Sequence, residues 1–387
     1  MIAWFYFPAR LAWRQLIFDR TKLVAAISGV LFACVLVFMQ LGFKDSLYAS
    51  AISAALKLNG DLFLMHKQSE ALWRPAQFKR NELMRALGNP AVAEVYPLYL
   101  GLAPFKNIET RVKRTLMVYG FDPDSRIFNV EEIENKRIEL QRKDTVLFDE
   151  YSRPEFGSLR QLLEAGRNIT EINDYKVAII GTFRLGVSFA ADGNVATSDL
   201  NFMRIFPKRN HNDIDLGIIQ LHPGAPVKQA QLELVNQLND FVNIYTYEEL
   251  LQHEMDYWAN MAPIGFIFGF GTVMGLVVGL VIVYQILFTD IASLRNEFAT
   301  LKAMGYAHGY FIRVVFASAF FLAVLGFIPG CALSMGLYQL AESQIFMPMP
   351  MTLVKALTVF MFILSMCVLA GFLAIRKLKA ANPADMF

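Results

Sequence analysis

The chain has 387 residues, of which 55% are hydrophobic and 18% charged, and its formal net charge is +2. Soluble globular domains carry roughly 45–50% apolar and about 25% charged residues, so an ordinary soluble protein is excluded, and the mean hydropathy of +0.38 agrees. A charge this near neutral gives no support to a nucleic-acid partner. The apolar excess lies in blocks, which points to a membrane protein with one large polar insert.

In chain order, residues 1–22 interleave Trp4, Phe5, Tyr6, Phe7, Leu11, Trp13, Leu16 and Ile17 with Arg10, Arg14 and Arg20. Aromatic and basic residues mixed in this way predict an interfacial helix on the cytoplasmic surface. A signal peptide is the poorer reading, because the apolar run that follows is too long and no small-residue cleavage site closes it. Residues 23–43 are uncharged and about as long as a bilayer core requires, so they are the first expected span.

Residues 44–262 are polar and mixed, and read as an α+β domain. Phe43, Leu47, Ala51, Ala54 and Leu58 recur at helical spacing, as do Leu250, Leu251, Met255, Trp258 and Ala262, so helical stalks are expected at both ends. Runs rich in Val, Ile, Leu and aromatics predict strands over 61–65, 92–102, 115–121, 175–183 and 216–221. Amphipathic spacing predicts helices over 77–87 and 227–238, with turns at Pro223-Gly224 and Phe121-Asp122-Pro123. A segment of this size holds one domain or two small subdomains.

Residues 263–288 form the second expected span. Gly271, Gly275 and Gly279 make overlapping small-xxx-small pairs, a pattern that lets helices approach closely in lipid. Residues 311–340 form the third, with Pro329-Gly330 expected to kink or break it near its outer end. After a short connection over 341–352, the fourth span covers residues 353–375, with Lys355 near its start, and a tail over 376–387 ends the chain. The fold class expected is therefore a membrane protein of four transmembrane α-helices with a large α+β extracytoplasmic domain between the first and second.

Between the second and third spans, residues 289–310 contain a short charged helix-former. Ile291, Leu294, Phe298, Leu301 and Met304 fall on one helical face, Arg295, Glu297 and Lys302 lie elsewhere, and Gly305 stands where a helix-ending glycine belongs. Lysine and arginine concentrate in the N-terminal segment, this loop and the tail, and the 341–352 connection has none. The positive-inside rule then puts both termini and the loop in the cytoplasm and the domain outside. A cysteine at Asn194 is expected outside, and one at Ser293 inside.

No catalytic constellation is legible. The sequence contains neither Gly-x-x-x-x-Gly-Lys-(Ser/Thr) nor Gly-x-Ser-x-Gly. Its five histidines lack metal-ligand spacing, and Cys34, Cys331 and Cys367 all lie in apolar blocks, so no metal, cofactor or disulfide is expected. The cores of the first three spans are free of ionisable residues, which argues against an ion-coupled transporter.

The run Asn296-Glu-Phe-Ala-Thr-Leu-Lys-Ala-Met-Gly-Tyr306 resembles a pattern of FtsX/MacB-type permeases, the membrane subunits of one class of ABC transporters; Asn296 stands where that pattern has Arg. Met39–Leu47, Val118–Pro123, Asp144–Asp149 and Ser152–Gly157 resemble, within that family, the DevC group of cyanobacterial heterocyst glycolipid exporters. The resemblance implies that Leu294, Arg295, Glu297, Phe298, Leu301, Lys302, Met304 and Gly305 form a helix that couples to a separate ABC ATPase subunit, which binds the ATP and magnesium. It further implies a homodimer of permeases in the inner membrane, a periplasmic membrane-fusion adaptor, a TolC-like outer-membrane channel, and a lipid or glycolipid substrate moved by mechanotransmission. Two related readings stay open: a lipoprotein-releasing permease, and a signalling permease that transports nothing.

Overall fold

A computed structural model describes residues 2–157, 159–186, 191–261, 264–293 and 308–380. The chain opens with α1 (Ile2–Phe18), which contains Pro8, and α2 (Arg20–Ile52). Asp19 separates them and caps the second: its Oδ1 accepts from the backbone N–H of Lys22 and from the Thr21 hydroxyl, satisfying a donor that a helix start leaves open. One face of α1 is buried at Ala12 and Leu16, and Trp13 meets Phe321 edge-on at 5.2 Å. This helix is therefore packed on protein along one side.

A mixed sheet follows. Its strands are β1 (Leu62–His66), β3 (Val92–Lys106), β4 (Lys113–Phe121), β5 (Thr145–Asp149), β6 (Ile169–Ile172), β7 (Tyr175–Phe183), β8 (Asn194–Ser198), β10 (Leu216–Leu221) and β11 (Val242–Thr246), while β2 (Phe78–Lys79) and β9 (Asp213–Ile214) pair separately. The nine strands run in the order β11-β1-β10-β3-β4-β8-β5-β7-β6. The β4–β8 and β5–β7 pairs are parallel and the rest antiparallel. The end of the long β3 also pairs with β6, Phe105 opposite Ile172, so the sheet curls back on itself.

Both faces of this sheet are covered, and the side-chain alternation of a strand shows how. Leu62 and Leu64 of β1 enter one core while Phe63 and Met65 enter the other; Leu116 and Val118 of β4 likewise oppose Met117, Tyr119 and Phe121. Strands buried on two sides read as continuous apolar runs, which is why these were the legible ones. The helices α3 (Arg80–Arg85), α4 (Glu131–Asn135), α5 (Arg137–Leu140), α6 (Leu159–Glu164), α7 (Asp199–Ile205), α8 (Val227–Gln237) and α9 (Tyr247–Asp256) complete the domain. Ser198 caps α7, and a capping box of Thr246 and Glu249 starts α9. A π-helical turn, Tyr257–Met261, follows α9. The helix expected over 77–87 is shorter than its periodicity suggests: Phe78 and Lys79 are taken by the β2–β9 pair, leaving α3 and a 3-10 turn.

Three long helices close the chain: α10 (Ile264–Ser293), α11 (His308–Ile345) and α12 (Leu353–Ala380). Among the described residues, four helices are long and apolar enough to cross a membrane, at Arg20–Ile52, Ile264–Ala292, Ile312–Ile345 and Leu353–Arg376. Pro329 does not break α11: of the kink or break expected from the sequence, the break does not occur. Neighbouring helices stabilise a proline inside a membrane helix. Here Gly326 and Gly330 lie against Val30 and Cys34 of α2, and the Ser334 hydroxyl donates to the Gly330 carbonyl at 2.7 Å. The chain divides into two compact units: the helical one, from Met1–Asp45, Gly265–Gln344 and Met349–Phe387, and the α+β one, from Ser46–Ile264 and Ile345–Pro348.

Candidate packing and coupling sites

The glycines at 271, 275 and 279 recur every four residues along α10, so they form one ridge of that helix. In the structure this ridge lies on α2. A Cβ added at Gly271 would stand 2.5 Å from the Gln40 side chain, one at Gly275 3.2 Å from Leu36 Cβ, and one at Gly279 2.5 Å from both Ala33 Cβ and Met366 Sδ. As α10 advances, its contacts on α2 step backwards from Gln40 to Ala33, the signature of an antiparallel pair. Missing side chains bring the two backbones close, which is what small residues contribute where lipid removes the hydrophobic drive for association. The opposite face of α10 carries Phe266, Phe270, Val273, Val277 and Val281, all more than a third exposed.

Charged residues stand at both ends of the bundle. At one end Lys22 Nζ lies 3.4 Å from Asp19 and 3.8 Å from Asp290, joining the start of α2 to the last turns of α10. The coupling residues inferred from sequence begin four positions later. Leu294, Arg295, Glu297, Phe298, Leu301, Lys302, Met304 and Gly305 lie outside the described residues. At the other end the Lys355 side chain is 6% exposed and forms an ion pair with Asp45 at 3.0 Å. Its Nζ also donates to the Pro350 carbonyl at 3.0 Å and lies 5.3 Å from the centre of the Tyr338 ring. Tyr338 in turn donates its hydroxyl proton to the Phe38 carbonyl. Three helices, α2, α11 and α12, are thus fastened around one ammonium. Sequence reasoning saw Lys355 only as a charge near a span end; the signal available was its isolation in an apolar run, which does not name its partner.

Asp149 and Glu254 are two of the buried carboxylates of the α+β unit, and sequence reasoning did not single them out. Asp149, fully buried at the end of β5, accepts from the backbone N–H of Tyr151 and Leu185 through Oδ1, and from Gly186 N–H and Asn194 Nδ2 through Oδ2, at 2.8–3.0 Å. Burial pushes its carboxyl up, while those four donors act the other way. Glu254 of α9 is 2% exposed, and its Oε1 accepts from Leu72 N–H at 2.8 Å. Desolvation pushes this carboxyl up to about 8, with the hydrogen bond from Leu72 opposing. That bond holds the 68–76 loop on α9, where Trp73 stacks on Trp258 at 5.8 Å and meets Tyr257 edge-on at 5.7 Å. Both carboxylates are acceptors for backbone amides. Among the described residues no group of three or more His, Cys, Asp or Glu is placed to hold a metal.

Four apolar helices, with an α+β domain between the first and second, define a multi-pass membrane protein. Residues 267–383, which include the ridge-bearing helix and the two helices after it, match the family described as FtsX-like permease C-terminal. No curated protein matches the chain. Among solved structures, the periplasmic region of MacB from Actinobacillus actinomycetemcomitans is similar at 12% identity and a TM-score of 0.35, covering 51% of this chain and 92% of that one. The extracellular domain of the noncanonic ABC-type transporter YknZ from Gram-positive bacteria is similar at 14% identity and a TM-score of 0.32, covering 48% of this chain and 99% of that one.

Proposed function

We propose that the chain is the membrane subunit of an ATP-driven ABC exporter of the FtsX/MacB kind. The observation that carries this reading is the match of residues 267–383 to the FtsX-like permease C-terminal family, on a chain whose α+β domain is inserted between its first two apolar helices. In this reading the subunit is not an enzyme. ATP and magnesium bind a separate ABC ATPase, and the part of residues 289–310 that lies between α10 and α11 docks on it from the cytoplasm. Two copies of the chain work as a homodimer in the inner membrane, with both termini cytoplasmic and the α+β domain in the periplasm. The cargo is a lipid or glycolipid, passed to an adaptor and a TolC-like channel. ATP-driven movement at the cytoplasmic end is transmitted along the helices to the domain; the tight α2–α10 seam suits such rigid transmission, because packed elements shift as units.

The test is at Glu297. A carboxylate on a docking helix pairs with a basic residue of its partner, and truncating one member of a desolvated, hydrogen-bonded pair costs roughly 2–5 kcal/mol. A solvated surface charge is worth at most about 1 kcal/mol. The chain should therefore co-purify with its ATPase and stimulate it in nanodiscs, whereas Glu297→Lys should lose both while still inserting. Wild-type ATPase binding and export by Glu297→Lys would remove the coupling role.

A further inference from the structure

The strand β11 is one edge of the nine-stranded sheet and pairs with β1 along its other side. That edge forms the floor of a groove of about 480 Å³. Val235, Asn239 and Asp240, at the end of α8 and in the turn after it, form one wall; Gln252, His253 and Asp256 of α9 form the other. The outward row of backbone groups is identified by what it binds. Thr246 N–H donates to Glu249, Val242 N–H to the Asn239 carbonyl, and the Ile244 carbonyl accepts from Gln231 Nε2 at 2.8 Å. Residues 242, 244 and 246 therefore point their peptide groups away from β1. The Gln231 amide stands where the N–H of a further strand would stand. It comes from a rotatable, partly exposed side chain that also reaches Glu249 at 2.6 Å, so it is a stopper that a real strand could replace.

The two walls differ in chemistry, and strand geometry turns that difference into a sequence preference. Successive side chains of a strand point to opposite faces of its sheet. On one face Val242 and Ile244 pack with Ala230 and Leu234 of α8, and Val235 of the same helix lines the groove with 54% of its surface exposed. On the other face the Tyr245 ring stacks on His253 of α9 at 5.0 Å, next to the carboxylate of Asp256. Asp240 at the end of the groove is fully exposed; Lys67 is the one basic residue in the lining and stands 3.9 Å from it.

We infer that this groove accepts an extended segment of a partner protein, added as a strand to β11, with alternating apolar and basic side chains. Main-chain hydrogen bonds supply the affinity in this mode of recognition and the side-chain walls supply the choice of sequence. The apolar positions lie against α8 and the basic ones against Asp256 and Asp240. This surface is independent of residues 289–310, so it stands or falls apart from the coupling role of Glu297.

The probe is a fluorescent peptide, Lys-Val-Lys-Val-Lys-Val-Lys, titrated by anisotropy onto the full chain in phosphatidylcholine nanodiscs, with empty nanodiscs as the blank. The peptide should bind. Its counterpart with alternate amides N-methylated on one edge, and the Glu-Val counterpart, should each bind at least tenfold more weakly. Asp256→Lys should cost a similar factor, whereas Asp124→Lys, an exposed carboxylate on another part of the domain, should change affinity less than twofold. Failure of the peptide to bind overturns the inference, as does binding that ignores N-methylation or responds equally to the two reversals. Ready disulfide formation between two copies carrying Val235→Cys would instead assign the groove to a second copy of this chain and also overturn it.

Discussion

The side-chain amide of Asn194 donates to Asp149 Oδ2 at 2.8 Å and to the Gly186 carbonyl at 2.7 Å, so one residue at the start of β8 holds both the end of β5 and the turn after β7. The two carboxylate oxygens of Asp149 accept from four donors, one in the adjoining turn and three on segments distant in sequence. Removing the carboxylate strands four donors, of which the Asn194 amide is buried and the others part-buried, and a buried donor costs roughly 1–3 kcal/mol when left unsatisfied. Asp149→Ala should lower the stability of the α+β unit by more than about 2 kcal/mol. Asp149→Asn should be no better, because it presents an NH2 group to donors. Thermal unfolding followed by tryptophan fluorescence measures both, and a midpoint equal to wild type for either variant would refute this role.

The same contact corrects the topology probe chosen from sequence. Asn194 is 3% exposed, so a cysteine there would be shielded whichever side of the membrane the domain occupies. Lys143, whose side chain is 70% exposed, serves in its place, and Phe18, 94% exposed at the end of α1, is the opposite probe. In a background lacking Cys34, Cys331 and Cys367, Lys143→Cys should react with a membrane-impermeant maleimide in intact spheroplasts and Phe18→Cys should react only after lysis. The reverse pattern would invert the proposed orientation.

Glu254 gives a pH dependence whose sign is fixed. Its folded carboxyl titrates at about 8, against an ordinary value of 4.5. Between those two values the folded chain keeps a proton that the unfolded chain has released, so folding stability falls as pH rises, by up to about 1.4 kcal/mol per pH unit. Below the ordinary value and above the folded one, this group adds no slope. Glu254→Gln mimics the protonated form and can still accept from Leu72 N–H. It should flatten the decline between pH 5 and 8 and be the more stable protein at pH 8. An unchanged difference between the two pH values in the variant would show that another group causes the slope.

Within the helical unit, Gly279→Leu must push α10 from Ala33 and Met366, and forcing extra carbons into a packed seam costs about 1–3 kcal/mol. Gly269→Leu is the matched control on the same helix, since a Cβ there meets nothing within 4 Å. The first should lower the melting temperature of the detergent-solubilised chain and the second leave it within error. Equal effects would mean that the ridge has no packing role.

Several elements buried on two faces, or apolar enough to lie in lipid, are legible in the chain, although β5, buried on both faces, is not among the strands it predicts. Leu62-Phe-Leu-Met65 is apolar at every position because its sheet is covered on both sides, and uncharged runs near twenty residues have few alternatives to spanning a bilayer. Short strands whose burial depends on distant partners were not read: β8, Asn194-Val-Ala-Thr-Ser198, mixes polar and small residues and is a strand because β4 and β5 flank it. Nor did local rules decide Pro329, where packing of Gly326 and Gly330 on α2 keeps the helix continuous. Pairings such as Asp45 with Lys355, 310 residues apart, and the four donors on Asp149 follow from topology, and no local pattern encodes them. The number and kind of apolar segments and the glycine period of α10 are thus written in the chain locally. Which helix that ridge meets, which charges pair and which strand ends the sheet depend on the assembled fold, because a contact energy depends on the partner, and the partner lies elsewhere in the chain.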